Sequence, residues 1–288
     1  MILEIIKAVI YGIVEGITEW LPVSSTGHMI LLGELVRPDV SEEFLNLFMV
    51  VIQLGAIIAV ILTMWKRIWP FGTAWRGNGR DTRRIGNSPF YINMETIRLW
   101  GLVLISCVPA AVIGILFDDF LDEHLQNWVC VSIMLIVVGL LFIVVESLIK
   151  GKEPSVNSLY ELTVRDALII GLCQVVAAVL PGTSRSGATI IGALLLGIAR
   201  TVAVEYTFIL AIPVMAGASL LKILKFDGEI ASSEMVFLVV GMLTAFAVSM
   251  LVIRGILRYI RTHDFRIFGW YRIVLGVIVI LFFGIFRQ

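Results

Sequence analysis

Apolar residues fall in six long runs, each long enough to cross a lipid bilayer. A hydrocarbon core of about 30 Å requires about 20 apolar residues in a helix. The pattern therefore predicts an all-α polytopic membrane protein with about six transmembrane helices, folded as a single integral membrane domain over residues 1–288. The predicted spans are residues 44–64, 97–117, 128–148, 205–222, 235–254 and 270–286.

Two further apolar regions, residues 2–36 and 164–198, are interrupted in their middle. Pro22 breaks the first region and Pro181-Gly182 breaks the second, and a polar run follows each break. Non-helical backbone at membrane depth is tolerated only where it is buried in protein or lines a wet cavity. We therefore predict two re-entrant helix pairs whose tips point inward and meet at the membrane midplane.

The two interrupted regions are related in sequence. The stretch GLCQVVAAVLPGTSRSGAT resembles the stretch that lies 159 positions earlier, and the comparison aligns Gly171 with Gly12 and Ser184 with Ser25. A second block, shifted by 162 positions, contains these matches: Glu43-Phe44 with Glu205-Tyr206, and Gly55-Ala56 with Gly217-Ala218. The order of the matches indicates an internal duplication, with halves at about residues 1–117 and 128–286.

Composition agrees with a membrane protein and excludes an ordinary soluble domain. The chain of 288 residues is 59% hydrophobic, with a mean hydropathy of +0.99, which is far above the range of soluble globular chains. The formal net charge is zero, so overall charge does not indicate a partner. We predict no nucleic-acid partner.

Lysine and arginine cluster in alternate connections between the predicted spans. The connections 65–98, 150–165 and 254–266 are basic, whereas 118–127 and 225–234 are mainly acidic. Basic connections lie on the cytoplasmic side of bacterial membrane proteins. Six spans then place both termini outside. The two re-entrant pairs enter from opposite sides, as an inverted repeat requires.

The first interrupted region contains ionisable residues that are costly in a membrane. Glu15 and Glu19 are one helical turn apart, so two like charges share one helix face and need a cation, a proton or water between them. After the break, small hydroxyl residues suit a turn and a fresh helix start. The polar residues that follow the break are Ser24, Ser25, Thr26 and His28.

The second tip adds a cation and more hydroxyls, and together the tips are typical of an anion site. Arg185 is the permanently charged residue of the tips, and its guanidinium suits phosphate. Helix starts also attract anions through their free N–H groups. The hydroxyl residues predicted to bind the anion are Ser24, Thr26, Thr183, Ser184, Ser186 and Thr189.

Two carboxylates that face a polyanion make sense if a divalent cation lies between them. Mg²⁺ commonly uses one or two carboxylates together with phosphate oxygens, so Glu15 and Glu19 are the predicted ligands, with Ca²⁺ as an alternative metal. A second interpretation is that one glutamate is protonated or acts as a base.

The motifs EGITEWLPVSSTGH and LPGTSRSGAT, with VIQLGAIIAV between them, resemble those of the bacterial undecaprenyl-diphosphate phosphatases, also known as bacitracin-resistance proteins. The resemblance covers essentially the whole chain. It implies an inner-membrane hydrolase that removes the terminal phosphate of a C55 polyprenyl diphosphate and so recycles the lipid carrier for cell-wall synthesis. It also implies membrane lipids as surroundings, with a homodimer left open.

The resemblance places functional residues in both tips. The catalytic set it indicates is Glu15, Glu19, Ser25, His28 and Arg185. We expect Ser25 or a water molecule to attack the terminal phosphorus, His28 to handle protons and Arg185 to hold phosphate. The glutamates hold a cation or serve as base. We expect the water path to open toward the periplasm.

A transporter is the main alternative, because inverted repeats with broken helices that meet at mid-membrane are common in transporters. A lipid-phosphate flippase or an anion carrier needs the same arginine and helix starts. It has less use for a paired-glutamate, serine and histidine cluster. Hydrolysis combined with lipid movement stays open. A purely structural scaffold leaves the polar cluster unexplained.

The predicted orientation is testable by cysteine labelling in a variant that lacks Cys107, Cys130 and Cys173. A cysteine introduced within residues 118–127 should react with an impermeant thiol reagent added outside intact cells, because the acidic connection lies outside. A cysteine at position 80 should stay protected until the cells are opened. Reversed labelling at the two positions would overturn the orientation.

Overall fold

The computed structural model describes residues 2–72, 82–84, 90–125 and 127–286, without the side chains of residues 84, 117–126 and 286. Within these residues the fold is almost entirely helical. The long helices are α1 (Ile2–Thr18), α2 (Ser25–Leu35), α3 (Glu42–Val51), α4 (Gln53–Ile68), α5 (Met94–Leu125), α6 (Trp128–Leu148), α7 (Val164–Val179), α8 (Arg185–Leu195), α9 (Arg200–Leu224), α10 (Ser232–Tyr259) and α11 (Arg266–Phe286). A single 3-10 turn, Leu159–Glu161, precedes α7.

The prediction of six spans is confirmed. Six helical segments among the described residues are long and apolar enough to cross a membrane: Glu42–Ile68, Met94–Leu116, Trp128–Leu148, Arg200–Leu224, Ser232–Tyr259 and Arg266–Ile285. The first segment joins α3 and α4, which are separated only by Ile52. That residue keeps a helical backbone and donates its N–H to Phe48 O at 2.9 Å. The chain is therefore a multi-pass membrane protein.

Each interrupted region forms two helices joined by a short tip. In the first, the end of α2 returns to the start of α1, because Lys7 Nζ donates to Arg37 O at 2.7 Å and Tyr11 Oη donates to Val36 O at 3.2 Å. In the second, α8 packs back against α7. The two hairpins have the shape expected of re-entrant pairs, and their entry from opposite membrane faces stays a prediction.

Helices of the two predicted halves pack in matched pairs. Helix α1 of the first half packs along α10 of the second, and α7 of the second packs along α5 of the first, whereas α6 and α11, which pack along each other, both lie in the second half. Gly12 and Gly171, which the sequence comparison aligns, make equivalent close contacts. A Cβ atom on either one would lie 2.6 Å from a backbone oxygen, that of Gly241 or that of Ser106. Small residues permit such close crossings in membranes. The division into halves at 1–117 and 128–286 stays a prediction.

The connections differ from the predicted loops in two places. Between α4 and α5 the described residues form a small antiparallel sheet in the order β1 (Phe71–Gly72), β3 (Tyr91–Asn93), β2 (Thr82–Arg84). The predicted acidic loop 118–127 is mostly helix, since α5 continues to Leu125. Hydropathy predicts which residues lie in the bilayer, whereas a helix continues for as long as its backbone hydrogen bonds do. Helix α5 can therefore extend beyond the apolar residues. Two arginines of the predicted basic connection 65–98, Arg76 and Arg80, lie outside the described residues.

Candidate functional site

Both tips end in a helix start of the same unusual geometry. Ser24 caps α2 and Ser184 caps α8, and each Oγ accepts a hydrogen bond from the backbone N–H three residues later, at 3.4 and 3.2 Å. Both serines have positive φ angles, 73° and 69°. Such a conformation costs about 1–3 kcal/mol outside glycine and persists where the surroundings enforce it. The shared geometry identifies Ser24 and Ser184 as equivalent positions.

This equivalence corrects the predicted alignment by one residue. The sequence comparison set Ser184 under Ser25, whereas the structure sets it under Ser24. The second tip has one more residue between its proline and its cap than the first tip, and an ungapped comparison misses this insertion. As a result Ser25 and Arg185 occupy the same place, the first residue of a tip helix.

Glu19 connects the two tips. Its Oε2 accepts a hydrogen bond from Ser25 Oγ at 2.8 Å, and its Oε1 accepts one from Arg185 Nη2 at 2.8 Å. The carboxylate follows directly after α1 and is only 8% exposed. One carboxylate therefore contacts the first residue of both tip helices. The two tips are therefore in contact, whereas their membership of re-entrant pairs and their place at the membrane midplane stay predictions.

Arg185 is held by α9 as well as by Glu19. Its Nη1 donates to Thr207 O at 3.3 Å, and its Nη2 lies 3.4 Å from Met215 Sδ. A guanidinium has five N–H donors in a planar fork, so donors remain for a bound anion. These contacts fix a full positive charge between the two helix starts, where phosphate is also favoured by free N–H groups.

Glu15 has a buried carboxylate oxygen without a hydrogen-bond partner. Its side chain is 1% exposed and Oε1 has no hydrogen-bond partner. A buried polar atom without a partner costs free energy, so Glu15 needs a proton or a cation. Within the described part of the chain, no group of three His, Cys, Asp or Glu residues is close enough to hold a metal ion. A cation here would take its remaining ligands from a bound phosphate or from water.

The ring nitrogens of His28 contact groups other than Ser25. Its Nδ1 lies 2.7 Å from Ser24 O, and its Nε2 lies 2.7 Å from Tyr271 Oη on α11. Both ring nitrogens are thus engaged with other groups. The contact to Ser25 Oγ in this structure comes from Glu19, so the geometry makes the carboxylate the neighbouring base of the serine.

The other residues predicted to bind the anion differ in how close they lie to the junction of the tips. Ser186 Oγ lies 3.1 Å from Ser184 Oγ and donates to Leu21 O at 3.5 Å, which adds a second contact between the tips. Thr183 is buried and its Oγ1 has no hydrogen-bond partner. Thr26 is exposed at the start of α2. Ser184 and Ser186 therefore lie at the junction of the tips.

Thr189 lies within the packing of α8 and not at the junction. Its single hydroxyl hydrogen lies between the carbonyls of Arg185 and Ser186, which are 2.9 and 3.2 Å from Oγ1, and Oγ1 also lies 2.9 Å from Thr207 Oγ1. The side chain is fully buried. Its hydrogen bonds join α8 to α9, which supports the helix that carries Arg185.

Arg272 is a central residue that the sequence interpretation did not include in the site. This arginine of α11 is 0% exposed. Its Nη1 donates to Pro22 O at 3.2 Å, and its Nη2 donates to Gly182 O at 2.7 Å and to Thr183 O at 2.9 Å. It therefore binds the broken backbone of both tips. The available signal was an arginine inside the predicted span 270–286.

Known proteins are similar to this chain over nearly its whole length. A family model described as bacitracin resistance protein BacA matches residues 8–278. The undecaprenyl-diphosphatase of Desulfitobacterium hafniense is 52% identical over 283 residues, covering 98% of this chain and 97% of that protein. Undecaprenyl-diphosphatase 1 of Clostridium acetobutylicum is 52% identical over 281 residues, covering 98% of each chain. The undecaprenyl-diphosphatase of Enterococcus faecalis is 50% identical over 279 residues, covering 97% of each.

Replacing Arg272 by lysine should weaken the fold of the tips. An ammonium group cannot reproduce the planar fork that reaches three carbonyls, and each buried carbonyl left without a donor costs about 1–3 kcal/mol. Thermal unfolding of the detergent-purified variant should therefore start at a lower temperature. Arg266→Lys, on the partly exposed first turn of the same helix, is the matched control and should change little. Equal unfolding temperatures for the two variants would contradict the assigned role.

Proposed function

Because the chain belongs to the bacitracin resistance protein BacA family, we propose that it hydrolyses undecaprenyl diphosphate to undecaprenyl phosphate and inorganic phosphate. The observation that carries this proposal is the contact of Glu19 with both Ser25 and Arg185. A hydroxyl nucleophile, a carboxylate able to take its proton and a fixed positive charge lie side by side. Such a combination of groups is suited to phosphoryl transfer.

The reaction begins with the terminal phosphate at the two helix starts. Ser25 Oγ attacks the terminal phosphorus while Glu19 Oε2, at 2.8 Å, receives the hydroxyl proton. The bond from phosphorus to the bridging oxygen breaks, and undecaprenyl phosphate leaves. Water then attacks the phosphoserine and releases inorganic phosphate. In the second route, which stays open, Glu19 activates a water molecule that attacks phosphorus directly.

Charge stabilisation comes from Arg185 and the helix starts. Charge spreads over the equatorial oxygens of the phosphoryl group in the transition state. Preorganised donors in a water-poor site stabilise such charge, and loss of one donor commonly costs about 10²–10³-fold in kcat. Arg185 provides the permanent charge, and free N–H groups of α2 and α8 provide neutral donors. Ser184, Ser186, Ser24, Thr26 and Thr183 offer hydroxyls to the substrate in this proposal, and Thr189 supports them from within α8.

A divalent cation fits the carboxylate pair. Glu15 brings an oxygen that lacks a hydrogen-bond partner, and Glu19 lies one turn further along the chain. Mg²⁺ binds to one or two carboxylates plus phosphate oxygens, so we propose, as the alternative to a Glu19 that serves as base, that these two residues would hold Mg²⁺, or Ca²⁺, when the diphosphate is present. When bound, the cation would neutralise part of the negative charge of the diphosphate. His28 exchanges protons with the departing groups in this scheme.

The membrane setting follows from the proposed substrate and the loop charges. We place the chain in the bacterial inner membrane, with the site open toward the periplasm, where the basic-inside orientation puts the first tip. The surrounding lipids and the polyprenyl diphosphate are its proposed partners, and a homodimer stays open.

A lipid-phosphate flippase or anion transporter is the second candidate, alone or combined with hydrolysis. The matched packing of α1 with α10 and of α7 with α5 favours it, since inverted repeats that rock against one another move substrates in transporters. The hydrogen bond from Ser25 to Glu19 argues for hydrolysis, because a transported anion needs no activated hydroxyl.

Phosphate release from undecaprenyl diphosphate by detergent-purified protein tests the proposal. Glu19→Gln and Arg185→Lys should each lower kcat by about 10²-fold or more with a small change in KM, because both residues act on groups that change in the transition state. Ser25→Ala should do the same on the phosphoserine route.

Ser147→Ala is the matched control for Ser25→Ala, since Ser147 Oγ donates to Ile143 O at 2.7 Å and accepts from Arg266 Nη2 at 3.5 Å, and neither partner belongs to the candidate site. It should keep nearly full activity. Wild-type protein that releases no phosphate but moves the lipid across vesicle membranes would replace hydrolysis by transport. Normal kcat in Ser25→Ala would leave direct water attack as the route.

The cation proposal has a separate test. Chelation with EDTA should abolish phosphate release, and added Mg²⁺ should restore it. Glu15→Gln should raise the Mg²⁺ concentration needed for half-maximal activity, because it removes one anionic ligand. Full activity of the wild-type protein in excess EDTA would remove the cation from the mechanism and leave Glu15 as a protonated or basic group.

A further inference from the structure

His28 and Tyr271 form a direct contact between the first tip and α11. The His28 Nε2 and Tyr271 Oη atoms are 2.7 Å apart. The two rings are nearly parallel, with 5.6 Å between centroids and 9° between planes. Tyr271 is also the neighbour of Arg272, which binds the backbone of both tips. One turn of α11 therefore sets the positions of both the tip backbone and the His28 ring.

The hydrogen-bond partners determine where the His28 ring carries its proton. Ser24 O, at 2.7 Å from Nδ1, is a carbonyl and can only accept, so Nδ1 must be the donor. A neutral ring then has an acceptor at Nε2, and the Tyr271 hydroxyl is the donor that faces it. The tautomer of a histidine is commonly set by the bond that the other nitrogen makes.

We propose that Tyr271 is a positioning residue that holds neutral His28 as the Nδ1–H tautomer, with Nε2 as the atom that exchanges protons. The kinetic part of this inference rests on the proposed function. The inference assigns activation of Ser25 to Glu19, which contacts the serine directly. His28 then acts through Nε2, on the side that faces α11.

The position of Tyr271 suits a test by substitution. Its side chain is 47% exposed, so removal of the hydroxyl alone leaves the buried packing unchanged. The adjacent Arg272 stays in place in Tyr271→Phe, and so do its three bonds to the tips. This variant therefore separates the hydroxyl contact from the general support that α11 gives to the site.

The direct test is nuclear magnetic resonance of detergent-purified protein labelled with ¹⁵N-histidine. The chain has three histidines, His28, His124 and His263, so single substitutions of the other two assign the signals of His28. We expect a protonated Nδ1 and a hydrogen-bonded, unprotonated Nε2 in the wild-type protein. In Tyr271→Phe the Nε2 signal should shift toward that of a nitrogen without a donor, or the ring should become a mixture of tautomers.

The chain provides a matched control in a second tyrosine and histidine pair. Tyr259 stacks on His263 with 4.3 Å between centroids and 13° between planes, and this pair lies at the end of α10. Tyr259→Phe removes the same hydroxyl group elsewhere and should leave the His28 signals as in the wild type. A wild-type His28 that is protonated at Nε2 while neutral, or His28 signals unchanged in Tyr271→Phe, would overturn the inference.

Kinetics tests whether the tautomer matters for turnover. General acid–base catalysis by a positioned side chain contributes a rate enhancement of about 10²–10⁴-fold. Loss of the orientation of the His28 ring should therefore remove part of this enhancement. We expect Tyr271→Phe to lower kcat about 10-fold with KM unchanged, and Tyr259→Phe to have no effect. Normal kcat in Tyr271→Phe would remove Tyr271 from the reaction. If the wild-type protein lacks phosphatase activity, the proposed function fails, whereas the resonance experiment still decides the tautomer.

Discussion

The broken backbone of the two tips is buried in the protein and needs hydrogen-bond donors, and Arg272 provides them. Three carbonyls, one from Pro22 and two from residues 182–183, accept from its guanidinium. A buried carbonyl left without a donor costs about 1–3 kcal/mol, whereas a whole domain is stable by only about 5–15 kcal/mol. The tips therefore depend on this buried side chain. It brings a cost of its own, because a charge is buried, and the carbonyl dipoles offset that cost.

The duplicated helix starts place different chemistry at equivalent positions. Ser25 and Arg185 are both the first residue after a cap with positive φ, and both contact the carboxylate of Glu19. A symmetric pair would put two serines or two arginines around the carboxylate. The two tips instead set a hydroxyl and a guanidinium on opposite oxygens of one carboxylate. Equivalent helix starts thus supply the same backbone geometry, and the different residues at one equivalent position supply different side-chain chemistry.

Much of the architecture is predictable from the sequence because each element has a local physical signal. The six spans follow from apolar length, the breaks follow from Pro22 and Pro181, and the polar residues after each break mark the tips. Local signals fail where a boundary depends on hydrogen bonds and not on hydropathy, as in the extension of α5 to Leu125. They also fail in the alignment of the tips, where an extra residue shifts Ser184 into register with Ser24.

The sequence by itself determined the membrane fold class, the two interrupted helix pairs and the residue types gathered near the breaks, because these depend on composition and on spacing along one segment. Only the tertiary structure decided which groups touch. Glu19 contacts Arg185 across 166 positions, His28 contacts Tyr271 across 243, and Arg272 contacts Pro22 across 250. Such contacts arise from the packing of distant helices against one another, and no local pattern in the chain encodes them. Arg272 has a local signal, as an arginine inside an apolar span, but its partners and the contact of Tyr271 with His28 depend on the packing of α11 beside the tips.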